Sequence, residues 1–300
     1  MPSLLILFFM IFFLLESMAG IIENGFIIIV LAREWVRCWS LPSGDMILVS
    51  LGISRFFLHW AAVLSSFYTY FYPTNTSLYL FTFWSFTNMT TFWFTTWLAV
   101  FYCVKISAFT QPIFLWLKWR ISQFVPWLLL WSLLISILIC ISSFAKGQYI
   151  FQLALAGNYT EKTTWDDMTH ALQNHFFLLL QIFILLISFF FFLVSTILVI
   201  SSLCRHLRDM QRYGAGPQDP SMQVHITALK SLFFFLIIYA SYVMPVVVTT
   251  IVETSVWSFD FWVWQVVAYA GTSIHSAFLI QNSSKLRRAL KKMLYDPEAA

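Results

Sequence analysis

The stretch Phe92-Trp93-Phe94-Thr95-Thr96-Trp97-Leu98-Ala99-Val100-Phe101-Tyr102-Cys103-Val104-Lys105 decides how this chain is read. It is apolar enough to cross a bilayer and carries no charge until Lys105. On a helix rising 1.5 Å per residue, Trp93 and Lys105 lie about 18 Å apart. Trp93, Thr96, Trp97 and Val100 share one face by the i, i+3, i+4, i+7 rule. One end of that face can hold an organic ligand while the other meets the cytosol. The competing reading makes the tryptophans ordinary packing residues of a helical bundle.

The rest of the chain has the same character. Of its 300 residues, 60% are hydrophobic, 20% aromatic and only 10% charged. A soluble domain carries about 25% charged residues. With 33 Phe and a mean hydropathy of +0.79, the chain reads as a polytopic membrane protein. The expected fold is all-α: a seven-transmembrane helix bundle forming a single domain over residues 1–300. The spans are expected at about 4–32, 46–71, 80–109, 125–144, 175–203, 228–251 and 261–280, with a short basic tail over 281–300. The first span resembles a secretory apolar region, but it lacks a basic leader and runs on to Arg33, too long for a cleaved signal. Glu16, Glu23 and Asn24 within it are costly in lipid and are expected to face the bundle.

Orientation follows from the basic residues. All of the 17 Lys and Arg except Arg55, Lys146 and Lys162 fall in three alternate loops and the tail. The positive-inside rule then places the N-terminus outside and the C-terminus in the cytoplasm. The outer side carries glycosylation acceptor patterns at Asn158-Tyr159-Thr160 and Asn75-Thr76-Ser77, Asn158 being favoured by its mid-loop position. Asn88-Met89-Thr90 also fits but sits too near or within the third span. The four cysteines, Cys38, Cys103, Cys140 and Cys204, avoid the outer loops, so no extracellular disulfide is expected.

No catalytic constellation is present. The histidines are scattered, and His170 and His175, five apart, do not match a zinc pair on one helical turn. Neither a Gly-rich phosphate loop nor a Cys-x-x-Cys pair occurs. No cofactor, metal or nucleic-acid partner is expected, and the chain is not read as an enzyme. Arg55 is the costliest residue, at least ~2.5 kcal/mol in mid-membrane, and needs an acceptor such as Glu23, Asn24 or a helix carbonyl. Such a contact serves either as a switch between helices or as static packing. The basic inner loops suit an acidic partner, or simply signal topology and attract anionic lipid.

Several motifs together resemble the bitter taste receptors, the type 2 taste receptors among G-protein-coupled receptors. They are Asn24-Gly25-Phe26-Ile27 with Arg33-Glu34-Trp35; Leu51-Gly52-Ile53-Ser54-Arg55-Phe56; Val100 to Ile106; and Phe114-Leu115-Trp116-Leu117-Lys118-Trp119-Arg120-Ile121. Further on come Ser202-Leu203-Cys204-Arg205-His206, Asp219-Pro220-Ser221, Ala228-Leu229-Lys230-Ser231 and His275-Ser276. The resemblance covers nearly the whole chain.

It implies a plasma-membrane chemosensory receptor for small bitter organics, coupled to a gustducin-type G protein. Trp93, Thr96, Trp97, Tyr242, Gln265 and Ala268 match ligand-pocket positions. Lys105, Leu117, Lys118, Arg120, His206 and Lys230 match the face that meets the G protein. Asn24 and Arg55 match a contact between helices one and two, with Ser276 on its helix-seven side. Ser188 stands where the family usually carries a proline. Homo- or hetero-oligomers are compatible with this reading. The alternatives are a small polytopic transporter or channel, or another chemosensory receptor such as a vomeronasal type 1 receptor; the Leu117-Lys118 motif argues against the last.

Overall fold

The computed structural model describes residues 4–72, 78–107, 111–156, 164–212, 220–252 and 255–295. Their regular secondary structure is entirely helical: α1 Leu4–Cys38, α2 Ser43–Phe71, α3 Leu78–Ile106, α4 Pro112–Ala156, α5 Thr164–Arg212, α6 Pro220–Val252, α7 Phe259–Asn282 and α8 Ser284–Tyr295. By length and composition, six of these can cross a membrane: α1, α2, α4, α5, α6 and α7. Their outward side chains are those a lipid phase accepts. Trp127, Leu138, Phe183 and Ile237 are all exposed, a surface that would aggregate in water.

The third span behaves differently from the expectation of seven uniformly greasy segments. α3 is long enough at 29 residues, but its Thr, Ser, Asn and Trp keep it below the apolarity of the six. The reason is its position. Every residue from Thr87 to Thr96 is buried, so α3 is enclosed by other helices where it is most polar. Three of its hydroxyls bond within the helix: Thr87 donates to the Phe83 carbonyl at 3.0 Å, Thr90 to Phe86 at 2.8 Å and Thr95 to Thr91 at 2.8 Å. Such back-bonding pairs polar side chains of a helix inside an apolar bundle, while Thr82 Oγ1 and Trp93 Nε1 stay buried without a partner among the described residues.

Two apolar clusters fill the bundle. One gathers Phe13, Leu58, Met89, Phe92, Trp93, Phe192, Tyr239, Tyr242, Trp262 and Tyr269. The other gathers Ile27, Leu31, Ile47, Leu51, Phe94, Leu98, Leu279 and Leu286. Arg55 lies on α2 between Leu51 of the second and Leu58 of the first. Close approach of α1, α2 and α7 depends on Gly20. A Cβ there would lie 2.4 Å from His59 Nε2 and 2.7 Å from Ser273 Oγ.

Several boundaries differ from the sequence reading. The basic loop expected over Lys105–Arg120 is helical from Pro112, so Lys118 and Arg120 stand on the first turns of α4. Pro112 suits a first helical position, where its missing N–H costs nothing. Pro126, expected to begin the fourth span, lies inside α4. In a membrane the alternative to a helix is unsatisfied backbone, so an internal proline is tolerated. The outer connection expected over Lys146–Asn174 narrows, because α4 runs to Ala156 and α5 starts at Thr164. The inner connection over Arg205–Lys230 narrows likewise between Arg212 and Pro220. The acceptor residues Asn75 and Asn158 lie outside the described residues.

The expected tail contains α8. Ser283 caps it, its Oγ accepting from the Leu286 N–H at 3.4 Å. Leu286 is fully buried and joins the second cluster, with Leu290 beside it. Lys285 Nζ lies 2.7 Å from Glu34 Oε1 on α1 and 2.7 Å from Asp45 Oδ2 on α2. Hydrogen bonds to Asp45 and Glu34 raise the Lys285 pKa above its ordinary 10.5.

Candidate functional site

The residues picked out in the sequence fall into three groups. The first surrounds α3. The indoles of Trp93 and Trp97 stack at 5.7 Å and 25°, as a four-residue helical spacing allows. Trp97 Nε1 donates to Ser132 Oγ on α4 at 2.7 Å. Trp93 is buried, and its Nε1 has no hydrogen-bond partner among the described residues. Thr96 points to α5 and α6: its hydroxyl lies 3.1 Å from the Ser188 carbonyl, 3.1 Å from Ser188 Oγ and 3.4 Å from the Tyr239 hydroxyl. The Tyr239 hydroxyl is also placed to donate to the Phe92 carbonyl at 3.2 Å. Tyr242 stacks on Phe92 at 4.6 Å and donates to Asn88 Oδ1 at 2.5 Å.

Ala268 is buried in the same apolar cluster, and Gln265 on α7 is half-buried. A cavity of about 10 Å³, lined by Arg55, Phe235, Ile238, Tyr239, Tyr242, Gly271, Thr272 and His275, includes only Tyr242 of the six residues matched to the ligand pocket. That volume suits about one water molecule.

The second group is centred on Arg55, which is 2% exposed. Its acceptors are neither Glu23 nor Asn24 directly. Nη1 donates to Ser276 Oγ at 3.2 Å, Nη2 donates to Thr95 Oγ1 at 3.3 Å, and Nη2 also meets His275 Nδ1. Ser276 in turn donates to Asn24 Oδ1 at 3.0 Å, and Asn24 Nδ2 donates to the Gly20 carbonyl at 2.7 Å. Asn24, Arg55 and Ser276 thus meet, with the serine as the bridge. A polar chain crosses from α1 through α7 to α2 and α3. The Arg55 Nε and one oxygen of Glu23 remain buried without partners, so the guanidinium sits in the bundle without a contacting carboxylate.

The third group lies at the end of the bundle that carries α8. Lys105 Nζ donates to the Lys118 carbonyl at 3.4 Å and lies 6.0 Å from the Phe101 ring centre. Arg120 sits 5.7 Å from the Trp116 ring. Leu117 is half-buried; Lys118, Arg120, His206 and Lys230 are exposed. The end is basic, as the loops predict, but helix ends rather than loops carry most of it.

The chain matches the family described as Taste receptor protein (TAS2R) over residues 1–298. It belongs to the type 2 taste receptors. Taste receptor type 2 member 134 of Rattus norvegicus is 43% identical over 283 residues, covering 94% of this chain and 85% of that protein. Taste receptor type 2 member 41 of Mus musculus is 40% identical over 302 residues, covering 98% and 97%. Member 16 of Pan troglodytes is 40% identical over 294 residues, covering 97% and 98%. This taste receptor is accordingly a multi-pass membrane receptor and not an enzyme.

Sequence reasoning passed over several residues of this taste receptor's interior. Tyr239 links α6 to Thr96 and Phe92, and Trp84 Nε1 donates to the Tyr269 hydroxyl at 2.6 Å. Asn88, which fits a glycosylation pattern, is 1% exposed and has Tyr242 on its oxygen. A buried Asn and two buried Tyr hydroxyls demand partners. That demand is the one sequence signal of the node, and it names no partner.

Proposed function

We propose that this taste receptor binds small bitter organic compounds between α3, α5, α6 and α7 and activates a gustducin-type G protein at the end carrying α8. In this reading α3 crosses the membrane as the seventh span, the N-terminus lies outside, the C-terminus is cytoplasmic, and the receptor works at the plasma membrane. Trp93, Thr96, Trp97, Tyr242, Gln265 and Ala268 line the ligand. Aromatic walls supply apolar contact, and a few polar groups orient the compound.

The observation that carries the reading is the hydroxyl node of Thr96, Ser188 and Tyr239 beside Trp93. It ties α3, α5 and α6 together at one buried point. A compound that parts Trp93 from its neighbours alters that node, and α6 with it. Only a difference in affinity between resting and active packings shifts the population, so agonists are those the opened node fits better. Asn24, Arg55 and Ser276 form the joint that re-forms as the signal passes. Lys105, Leu117, Lys118, Arg120, His206 and Lys230 face the G protein. Asn158, and secondarily Asn75, carry glycan outside.

The test is calcium release in cells expressing the receptor with a gustducin-type α subunit, challenged with a panel of bitter organics. A concentration-dependent response, absent without the receptor and weakened in a surface-expressed Trp93→Ala variant, is the expected result. A surface-expressed receptor silent to the whole panel counts against the function. An unchanged Trp93→Ala response removes that residue from the pocket.

A further inference from the structure

His206, near the C-terminal end of α5, and His225, near the N-terminal end of α6, meet with ring centres 4.9 Å apart and planes at 88°. They stand on the adjoining ends of consecutive helices, α5 ending at Arg212 and α6 beginning at Pro220, and the packing of the two makes the pair. His206 is exposed and His225 half-buried, so ions in water can reach the pair.

The spacing has a chemical meaning. With Zn–N bonds of about 2.0–2.1 Å and a tetrahedral angle, two imidazoles on one ion hold their ring centres about 5 Å apart. The observed separation of 4.9 Å meets that requirement. Imidazole nitrogen selects borderline transition metals over Mg²⁺ or Ca²⁺, which prefer oxygen.

We propose that His206 and His225 form a two-imidazole site for a divalent transition metal, Zn²⁺ foremost, that clamps α5 to α6 at the end of the bundle carrying α8. No group of three or more His, Cys, Asp or Glu forms a metal cluster among the described residues. Water therefore fills the remaining positions, and the ion is exchangeable and regulatory rather than structural. The site is invisible in sequence because zinc patterns count ligands on one turn or in one loop. Its consequence rests on the receptor reading above: if signalling moves α6 against α5, a bound ion opposes the movement and damps coupling.

The experiment uses the full-length receptor in lipid nanodiscs, where both faces are open to the buffer. Zn²⁺ binding is measured by titration calorimetry for wild type, His206→Ala and His225→Ala. The expected result is one Zn²⁺ class whose affinity falls at least tenfold in each variant. It is overturned if either variant binds as wild type does. His225→Cys provides a second arm that guards against misfolding of the alanine variants: a thiolate at that place keeps a bridging ligand, so Cd²⁺ binding at least as tight as wild type is expected. Loss of Cd²⁺ binding in a folded His225→Cys protein overturns the bridge. Agonist-driven nucleotide exchange on the G protein is then followed with and without Zn²⁺. Damping in wild type but not in His225→Ala is expected. Zn²⁺ bound at the pair without damping overturns the clamp while leaving the receptor reading intact.

Discussion

Ser276→Ala exposes how the buried arginine is held. The hydroxyl accepts from Arg55 Nη1 at 3.2 Å and donates to Asn24 Oδ1 at 3.0 Å. Its removal strips Asn24 Oδ1 of the one side-chain donor it has among the described residues and leaves the guanidinium with Thr95 and His275. A buried orphan costs about 1–3 kcal/mol, and a charge-assisted bond contributes about 1.5–3 kcal/mol. Interhelical bonds in membranes average nearer ~0.6 kcal/mol, because the unfolded chain in lipid also finds partners. Weighing both, the loss comes to about 2–4 kcal/mol. Arg55→Met behaves differently. It removes the charge together with its need for partners, and a well-packed apolar replacement of a buried ion is often close to neutral. The double variant Arg55→Met/Ser276→Ala is therefore expected to be more stable than Ser276→Ala alone.

The assay is thermal unfolding of the purified receptor with a thiol-reactive dye. Exposed Cys38 labels at once, and buried Cys103 reports unfolding. If Ser276→Ala melts like wild type, or if the two substitutions simply add, the bridge carries no stability and the reasoning fails.

Three further outcomes follow from the packing. Gly20→Ala places a Cβ 2.4 Å from His59 Nε2, so α1 has to back away, at about 1–3 kcal/mol for overpacking; the same dye assay should show a lower midpoint. Tyr242→Phe leaves Asn88 Oδ1 without its donor and should cost about 1–3 kcal/mol, whereas Tyr242→Phe combined with Asn88→Leu should recover part of it. Lys285→Ala removes an ion pair to Glu34 and Asp45 that is partly open to solvent, so the melting midpoint should fall only slightly, by about 0–1 kcal/mol. The Lys285 pKa is raised, so its share of that stability is complete below 10.5 and is lost only as the pH climbs through the raised value. A pH scan from 6 to 9 should therefore find no loss of stability traceable to Lys285.

Much of this fold was legible because lipid demands long apolar helices, and six of the spans advertise themselves that way. α3 does not, since its Thr and Asn are chosen for neighbours on every side rather than for lipid. Its place was read from the apolar, uncharged run Phe92–Val104, which hides how polar its buried middle is. α8 was legible in principle: Leu286, Ala289, Leu290 and Met293 repeat at helical spacing after a capping serine, a pattern easily hidden under five basic residues. Arg55 announced itself by cost, but its partners Thr95, His275 and Ser276 come from α3 and α7. No local pattern predicts which helices become neighbours. The same limit hid the node of Thr96, Ser188 and Tyr239 and the meeting of His206 with His225.

The passage of α3 through the membrane bears most directly on the whole account, because the proposed ligand site is built on it. From Tyr79 to Ile106, both exposed, a helix of this length spans about 40 Å, more than the hydrocarbon thickness of about 30 Å. Single-cysteine variants Tyr79→Cys and Ile106→Cys, made in a receptor lacking its other thiols, can be probed with an impermeant maleimide on intact cells. The account predicts that Tyr79→Cys labels on intact cells and Ile106→Cys only after permeabilisation. Labelling of both positions from the same side would contradict it.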